Sequence, residues 1–272
     1  MKIVDPLRHI QGRMDSLHLA LAKFRWSLHH RGLFGTLRAA ALSLAPNRSA
    51  SQEHIIHPFD TQHGVDTGGM FTAVDLASGH PNDLLGTGYC GIPPSRFKYI
   101  LERWIDAPPE GPVSAYSFVD VGCGKGRALM LAAALPFREV IGVELNPGLA
   151  QIATHNLGKW RGAQQPTSPI RVVCQDATEF AFPETPCLIY LYNPFAEPVL
   201  VRLIEQIERS FSANPRALDI LYYNPGSDKL FARHPSYRQL WSGPVPISSD
   251  DAAADPFASS NEICSLYRRI AH

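Results

Sequence analysis

The stretch Phe118-Val119-Asp120-Val121-Gly122-Cys123-Gly124-Lys125-Gly126-Arg127 decides the fold. Its apolar half reads as a buried strand, its glycines as a turn, and the following Leu129-Met130-Leu131-Ala132-Ala133-Ala134-Leu135, stopped by Pro136, as a helix. Glycine at alternate positions permits positive φ and removes Cβ, so a ligand can lie against the main chain where a strand of an α/β sheet ends. A dinucleotide loop, G-x-G-x-x-G, would need glycine where Arg127 stands. A phosphate-cradling G-x-x-x-x-G-K-[ST] needs Ser or Thr after its lysine, yet Gly126 follows Lys125. Nicotinamide, flavin and nucleoside triphosphates are therefore disfavoured.

Working outward, Val140-Ile141-Gly142-Val143 is a short buried strand ending in Glu144. An acidic residue roughly 20 residues beyond a glycine loop is placed to accept hydrogen bonds from ribose hydroxyls. Asn146-Pro147 restarts a helix, with Asn as N-cap, and Leu149, Ile152, Ala153, Leu157 and Trp160 follow at helical spacing. Further strands are predicted at Ile170–Cys174, followed by Gln175-Asp176-Ala177, at Leu188–Tyr192, followed by Asn193-Pro194-Phe195, and at Leu218–Tyr223, followed by Asn224-Pro225. Between the last two, Val199, Leu200, Leu203, Ile204, Ile207 and Phe211 form a helical apolar stripe. Two more strands, Tyr237–Trp241 and Ile263–Tyr267, flank an acidic, alanine-rich loop and suggest a closing antiparallel hairpin. The alternation predicts an α/β fold with a doubly wound, mostly parallel seven-stranded sheet, helices on both faces and the ligand at the strand C-termini.

The hydrophobic-Asp-hydrophobic-Gly-x-Gly-x-Gly pattern resembles motif I of class I, Rossmann-like methyltransferases dependent on S-adenosylmethionine (SAM), and the resemblance runs from about Tyr89 to the C-terminus. It implies SAM as cofactor. It also implies that Asp120, Gly122, Cys123, Gly124 and Gly126 form the cofactor turn, that Glu144 meets the ribose, and that Asp176 with Ala177 meets the adenine amino group. The region before motif I often closes over the methionine part in such families, which makes Tyr89 the expected lid residue. Asn193-Pro194-Phe195 is similar to the Asn/Asp-Pro-Pro-Tyr/Phe motif of many N-methyltransferases, with one proline missing. Asn193 is therefore expected at both cofactor and acceptor, with Tyr192 and Phe195, and Tyr223 beside them, lining a catalytic pocket for an amine. The motif I and Gly142–Pro147 segments look like those of non-SET protein-lysine methyltransferases, and the run Leu191-Tyr192-Asn193-Pro194-Phe195 like that of a bacterial group in the same superfamily.

The reaction expected is methyl transfer to an amine nitrogen of a protein lysine or a small molecule. The alternatives are O-methylation of a small molecule and a SAM-binding module without turnover. An O-methyltransferase would need a base or a metal, and His63 or Asp66, within the polar loop Asp60–Gly69, could serve as the base. The other reading of that loop is an Asx-type turn network. His54, His57 and His63 lie near one another in sequence, but no cysteine or carboxylate spacing completes a metal site, so none is expected.

Residues 1–57 are expected to form a helical extension and linker before a methyltransferase domain spanning 58–272. Leu17, Leu21, Phe24 and Leu28, then Leu33, Leu37, Ala41 and Leu44, make two basic amphipathic helices. Such helices more often cap a fold than contact a membrane surface. Neither has the apolar length of a transmembrane segment, and no secretory leader is apparent. A further helix, with Ser95 as N-cap, carries Phe97, Ile100, Leu101 and Trp104. Five cysteines without a C-x-x-C pair suggest a reducing, cytoplasmic setting. Lys plus Arg number 25, as do Asp plus Glu, so nucleic acid is disfavoured as a partner.

Overall fold

The computed structural model describes residues 56–163, 168–255 and 261–270, all within one unit, Gln52–His272. The expected N-terminal helices lie outside the described residues. A short helix α1 (Pro58–His63) leads to β1 (Met70–Phe71), which pairs antiparallel with β2 (Tyr89–Cys90). There follow α2 (Pro94–Asp106), β3 (Ser117–Val121), α3 (Arg127–Ala132), β4 (Glu139–Glu144), α4 (Pro147–Ala163) and β5 (Ile170–Cys174). The remainder is β6 (Cys187–Tyr192), α5 (Glu197–Ala213), β7 (Leu218–Tyr223), α6 (Lys229–Ala232), β8 (Tyr237–Pro244), α7 (Ser249–Ala254) and β9 (Ile263–Arg269).

Seven strands form one sheet in the order β5-β4-β3-β6-β7-β9-β8, parallel from β5 to β7 and antiparallel across β7-β9-β8. The chain steps from β3 through β4 to β5, then returns to place β6 on the other side of β3. The crevice beyond the carboxyl ends of β3 and β6 is thus the topological switch point, where open α/β sheets bind ligands. Both predicted segments, the glycine turn and Asn193-Pro194-Phe195, open at that crevice.

The central strands are apolar on both faces because helices cover both. One core joins Phe97, Ile100 and Trp104 of α2, Leu129 of α3 and Leu157 and Trp160 of α4 to Phe118, Leu188 and Tyr190 of the sheet. The other joins Leu200, Leu203, Ile207 and Phe211 of α5 to Val119, Val121, Ile189 and Ile220. Asp219 is buried within β7, where its carboxylate takes Trp104 Nε1 at 2.8 Å and Arg268 Nε at 2.7 Å, so the charge is paired and hydrogen-bonded.

Two local expectations are corrected. α2 starts at Pro94 with Pro93 at its cap, because proline presets a helical φ and has no N–H to satisfy. Ser95 lies inside the first turn, where its N–H donates to Asp251 Oδ2 at 2.7 Å and its hydroxyl accepts from Ser248 N at 3.1 Å. α3 ends at Ala132, before the apolar run does. The N-cap expected at Asn146 is present, its Oδ1 accepting from Leu149 N at 2.9 Å.

The segment before the sheet is fastened by two basic residues of the glycine turn. Arg127, 4% exposed, donates from Nε to Thr67 Oγ1 at 2.7 Å and from Nη1 to the Ile92 carbonyl at 3.2 Å, and stands 3.7 Å from Asp60. Lys125, 1% exposed, donates to Asp66 Oδ1 and the Gly68 carbonyl, each at 2.8 Å, beneath the rings of Phe71 and Tyr89. Asn156 of α4 completes the seam, donating to Asp66 O at 2.6 Å and Lys125 O at 3.0 Å while accepting from Asp66 N at 2.9 Å. Removing one partner of a buried ion pair leaves the other charge uncompensated. Arg127→Leu is expected to destabilise the fold by about 3 kcal/mol, checked by urea unfolding.

Candidate functional site

The site grows from the turn after β3. Gly122, Gly124 and Gly126 all have positive φ, at 80°, 54° and 86°. At Gly124 a Cβ would strike the ring of Tyr89, and at Gly122 it would stand 2.9 Å from Pro194 Cβ. The turn must therefore be bare: its main chain is closed in by Tyr89 from β2 and by Pro194 from the end of β6. Tyr89 is buried, donates its hydroxyl to the Thr67 carbonyl at 2.6 Å, and has its phenol pKa pushed well up by burial. The expected lid residue thus lies on the turn itself. Cys123 turns its thiol inward, toward Gly142 and Leu129, so it faces the crevice with main chain only.

Asp120 is the most unusual group here. Its carboxylate is 3% exposed and has no hydrogen-bond partner among the described residues. Burial, and then the nearby Glu144, push its pKa well above the ordinary carboxylate range. A buried, unpaired acid suits a site that receives a cationic group. Glu144 is also buried and its pKa raised by burial, against which backbone donors pull it back. Its Oε2 accepts from Gly124 N at 2.8 Å and its Oε1 from Asn146 N at 2.9 Å, and each oxygen retains a second lone pair.

Asp176 caps a single 3-10 turn, Ala177–Glu179. Its Oδ1 accepts from Thr178 N at 2.8 Å and Thr178 Oγ1 at 2.9 Å, and its Oδ2 from Asn82 Nδ2 at 2.6 Å. Ala177 is buried in the α5-side core.

At the end of β6, Asn193 has φ of 40°, a left-handed conformation that Asn tolerates better than most residues. Its Oδ1 accepts from Gly226 N at 3.1 Å and Tyr222 OH at 3.4 Å, and its main-chain oxygen from Thr87 Oγ1 at 2.6 Å. The amide oxygen expected to meet an acceptor is therefore engaged within the protein. Phe195 packs on the α5-side core and bridges Gly86 through its main chain. Tyr192 lies 4.6 Å, ring to ring, from Tyr223, and its hydroxyl has no hydrogen-bond partner among the described residues. Burial pushes the Tyr192 phenol up, so the hydroxyl is neutral. Tyr223 OH is held by Glu262 and, at 3.0 Å, by Arg96 Nη1.

Lys125, Arg127 and Asn156 hold the surroundings of the turn, and Asn82 holds Asp176, none of which the sequence announces. The available signal was two basic residues inside an otherwise apolar turn and helix start, which must find buried acceptors such as those upstream around Asp60 and Asp66.

Residues 118–213, which carry the glycine turn, Glu144, Asp176 and Asn193, match the family described as a methyltransferase domain. No curated protein matches the chain. Similar solved structures include the yhhF protein of Escherichia coli, a proposed methyltransferase, at 15% identity and TM-score 0.46, covering 65% of this chain and 88% of that one. The ribosomal protein L11 methylase of Lactobacillus delbrueckii subsp. bulgaricus is 12% identical at TM-score 0.44, covering 69% and 82%. A single-residue variant of MtNAS in complex with SAM is 18% identical at TM-score 0.44, covering 65% and 62%.

The matched segment, about a third of the chain, is set at the switch point of the seven-stranded sheet. The chain thus carries a methyltransferase domain at residues 118–213. SAM fits the site chemically: Asp120, buried without a hydrogen-bond partner among the described residues, and Glu144, held by main-chain donors, are acids that a cationic, hydroxyl-bearing ligand would satisfy.

The buried Asp120 makes stability depend on pH. With a folded pKa above its unfolded value, Asp120 holds its proton in the fold at pH values where the unfolded chain releases it, so stability falls as pH rises from the ordinary carboxylate range toward the raised value. Asp120→Asn is expected to stabilise the ligand-free protein at about pH 7.5 by on the order of 1 kcal/mol and to weaken SAM binding roughly tenfold or more. Thermal unfolding and calorimetry check the two halves.

Proposed function

We propose that the chain transfers the methyl group of SAM to an amine nitrogen, on a protein lysine or a small-molecule amine. Asp120 receives the cationic amino end of the cofactor, Glu144 the ribose hydroxyls through the lone pairs left after Gly124 and Asn146, and Asp176 the adenine amino group. Gly122, Gly124 and Gly126 let the main chain approach, Cys123 and Ala177 contribute main chain alone, and Tyr89 closes the methionine end. SAM, when bound, supplies a methyl group on positively charged sulfur, already activated for displacement.

Alignment and a neutral nucleophile are then what the protein must provide. The observation that carries the amine reading is the Tyr192 hydroxyl: neutral and unpartnered among the described residues, on a half-buried side chain at the end of β6 beside the turn. A neutral hydroxyl and aromatic surface favour an uncharged amine over its ammonium and can accept its remaining hydrogen. Asn193 acts through the turn it shapes, since its amide oxygen already serves Gly226 and Tyr222. A hydroxyl acceptor is less well served. Asp66 is paired with Lys125, and His63 has a half-buried ring against Phe59 with a pKa lowered by burial. The balanced charge of the chain speaks against nucleic acid as acceptor. No helix among the described residues is long and apolar enough to cross a membrane.

Calorimetric titration with SAM, its demethylated product and NAD, followed by transfer of labelled methyl to lysine peptides, small amines and hydroxyl acceptors, tests the reading. Binding of SAM and product without NAD, and label on nitrogen, is expected. Label on oxygen alone, or SAM binding without transfer to any amine, would contradict it. Tyr192→Phe is expected to lower kcat about tenfold or more while leaving SAM affinity within about twofold, because its hydroxyl acts at the acceptor.

A further inference from the structure

Seventeen residues, 72–88, connect the two-residue strands β1 and β2. Connections of this length without strands or α-helices of their own are uncommon and usually functional. This one is a strap across strand ends. The Leu76 carbonyl accepts from Asn146 Nδ2 at 2.8 Å, beyond β4. Leu85 O accepts from Ala196 N at 2.7 Å, and Thr87 N donates to Pro194 O at 3.2 Å, beyond β6. Between these anchors Asn82, buried, reaches Asp176 beyond β5. The fold around Asn82 is itself tied, since Asp83 accepts from the N–H groups of Ser78, Gly79 and His80 at 2.6, 2.7 and 2.9 Å.

Asn82 is held from both ends. Arg202 Nη2, on α5, donates to its Oδ1 at 2.5 Å, and its Nδ2 donates to Asp176 Oδ2 at 2.6 Å. A guanidinium has donors only and a carboxylate acceptors only, so the amide has a single orientation that satisfies both neighbours. Asp176 then carries three donors: Thr178 N, Thr178 Oγ1 and Asn82 Nδ2. A carboxylate offers about four acceptor directions, which leaves one, on Oδ2. His80 Nε2 stands 3.8 Å from that oxygen, beyond hydrogen-bond distance.

We propose that Asn82, oriented by Arg202, is a positioning residue that fixes Asp176 with a single free acceptor direction and so makes it a reader of the 6-amino group of the cofactor's purine. The proposal rests on the assignment of Asp176 to adenine. Asn82 acts through the carboxylate and need not touch the cofactor. Loss of Asn82 frees the carboxylate to rotate about Thr178 or to be taken by water, and an unfixed carboxylate discriminates poorly between an amino group and an oxygen.

The test is the ratio of dissociation constants for S-adenosylhomocysteine and its 6-oxo analogue S-inosylhomocysteine, which presents oxygen where the amino group was. The wild-type protein is expected to prefer the adenosyl compound by at least about tenfold, as for a hydrogen bond to a charged group. Asn82→Ala should narrow the preference to within about threefold, and Arg202→Met should narrow it partly. Arg202 is exposed, so that variant keeps the test available should Asn82→Ala fail to fold. Weakened binding of both compounds with the ratio kept, in either variant, would make Asn82 mere packing and overturn the proposal. Asp176→Asn separates the two levels: a ratio unchanged there sinks the adenine assignment itself, whereas a ratio lost there but kept in Asn82→Ala sinks only the positioning role.

Discussion

Everything at this site depends on a turn that must carry no side chains yet cannot be left open. Three glycines with positive φ shape the turn, and the space left by the missing Cβ atoms is closed by Tyr89 at Gly124, by Pro194 at Gly122 and by Ala153 at Gly126. That closure requires the segment Asp60–Cys90 to be held in place. The holding is done by Lys125 and Arg127, the very side chains interleaved with the glycines, whose charges are set against Asp60, Asp66, Thr67 and main-chain carbonyls. One ten-residue stretch thus builds the binding turn and fastens its cover.

Charge is distributed unequally among the buried acids. The buried Asp60 and Asp219 both have cationic partners, so their burial costs little beyond the desolvation that pairing offsets. Asp120 has none, and Glu144 relies on main-chain donors. Such unsatisfied acids in a cleft are where stability is surrendered to binding. At the end of β6 the groups are different in kind, neutral phenols in place of carboxylates, which is what the proposed transfer to an uncharged amine would require.

The sheet was legible because its parallel strands are short apolar runs with polar or glycine-bearing ends, and each run ended where a site residue was expected. Glu144 and Asp176 stand at and after the ends of β4 and β5, as their spacing predicts, and Tyr89 lies against Gly124 of the glycine turn. What escaped the sequence were contacts between segments distant in the chain. Arg127 read only as the residue that spoils a dinucleotide loop, because its partners Ile92 and Thr67 lie 35 and 60 residues upstream. Asn193 read as an acceptor-orienting amide, but Gly226 and Tyr222, brought beside it by the pairing of β6 with β7, take that oxygen. The strap carrying Asn82 has no periodicity to read, and its link to Asp176 spans 94 positions.

The most direct measurement is a crystal structure of the protein with S-adenosylhomocysteine. Its amino group is expected against Asp120, its ribose hydroxyls on Glu144 and its purine amino group on Asp176, with the Asn82 contact retained. A product molecule bound elsewhere, or lying in the crevice with Asp120 still unpartnered, would contradict that placement.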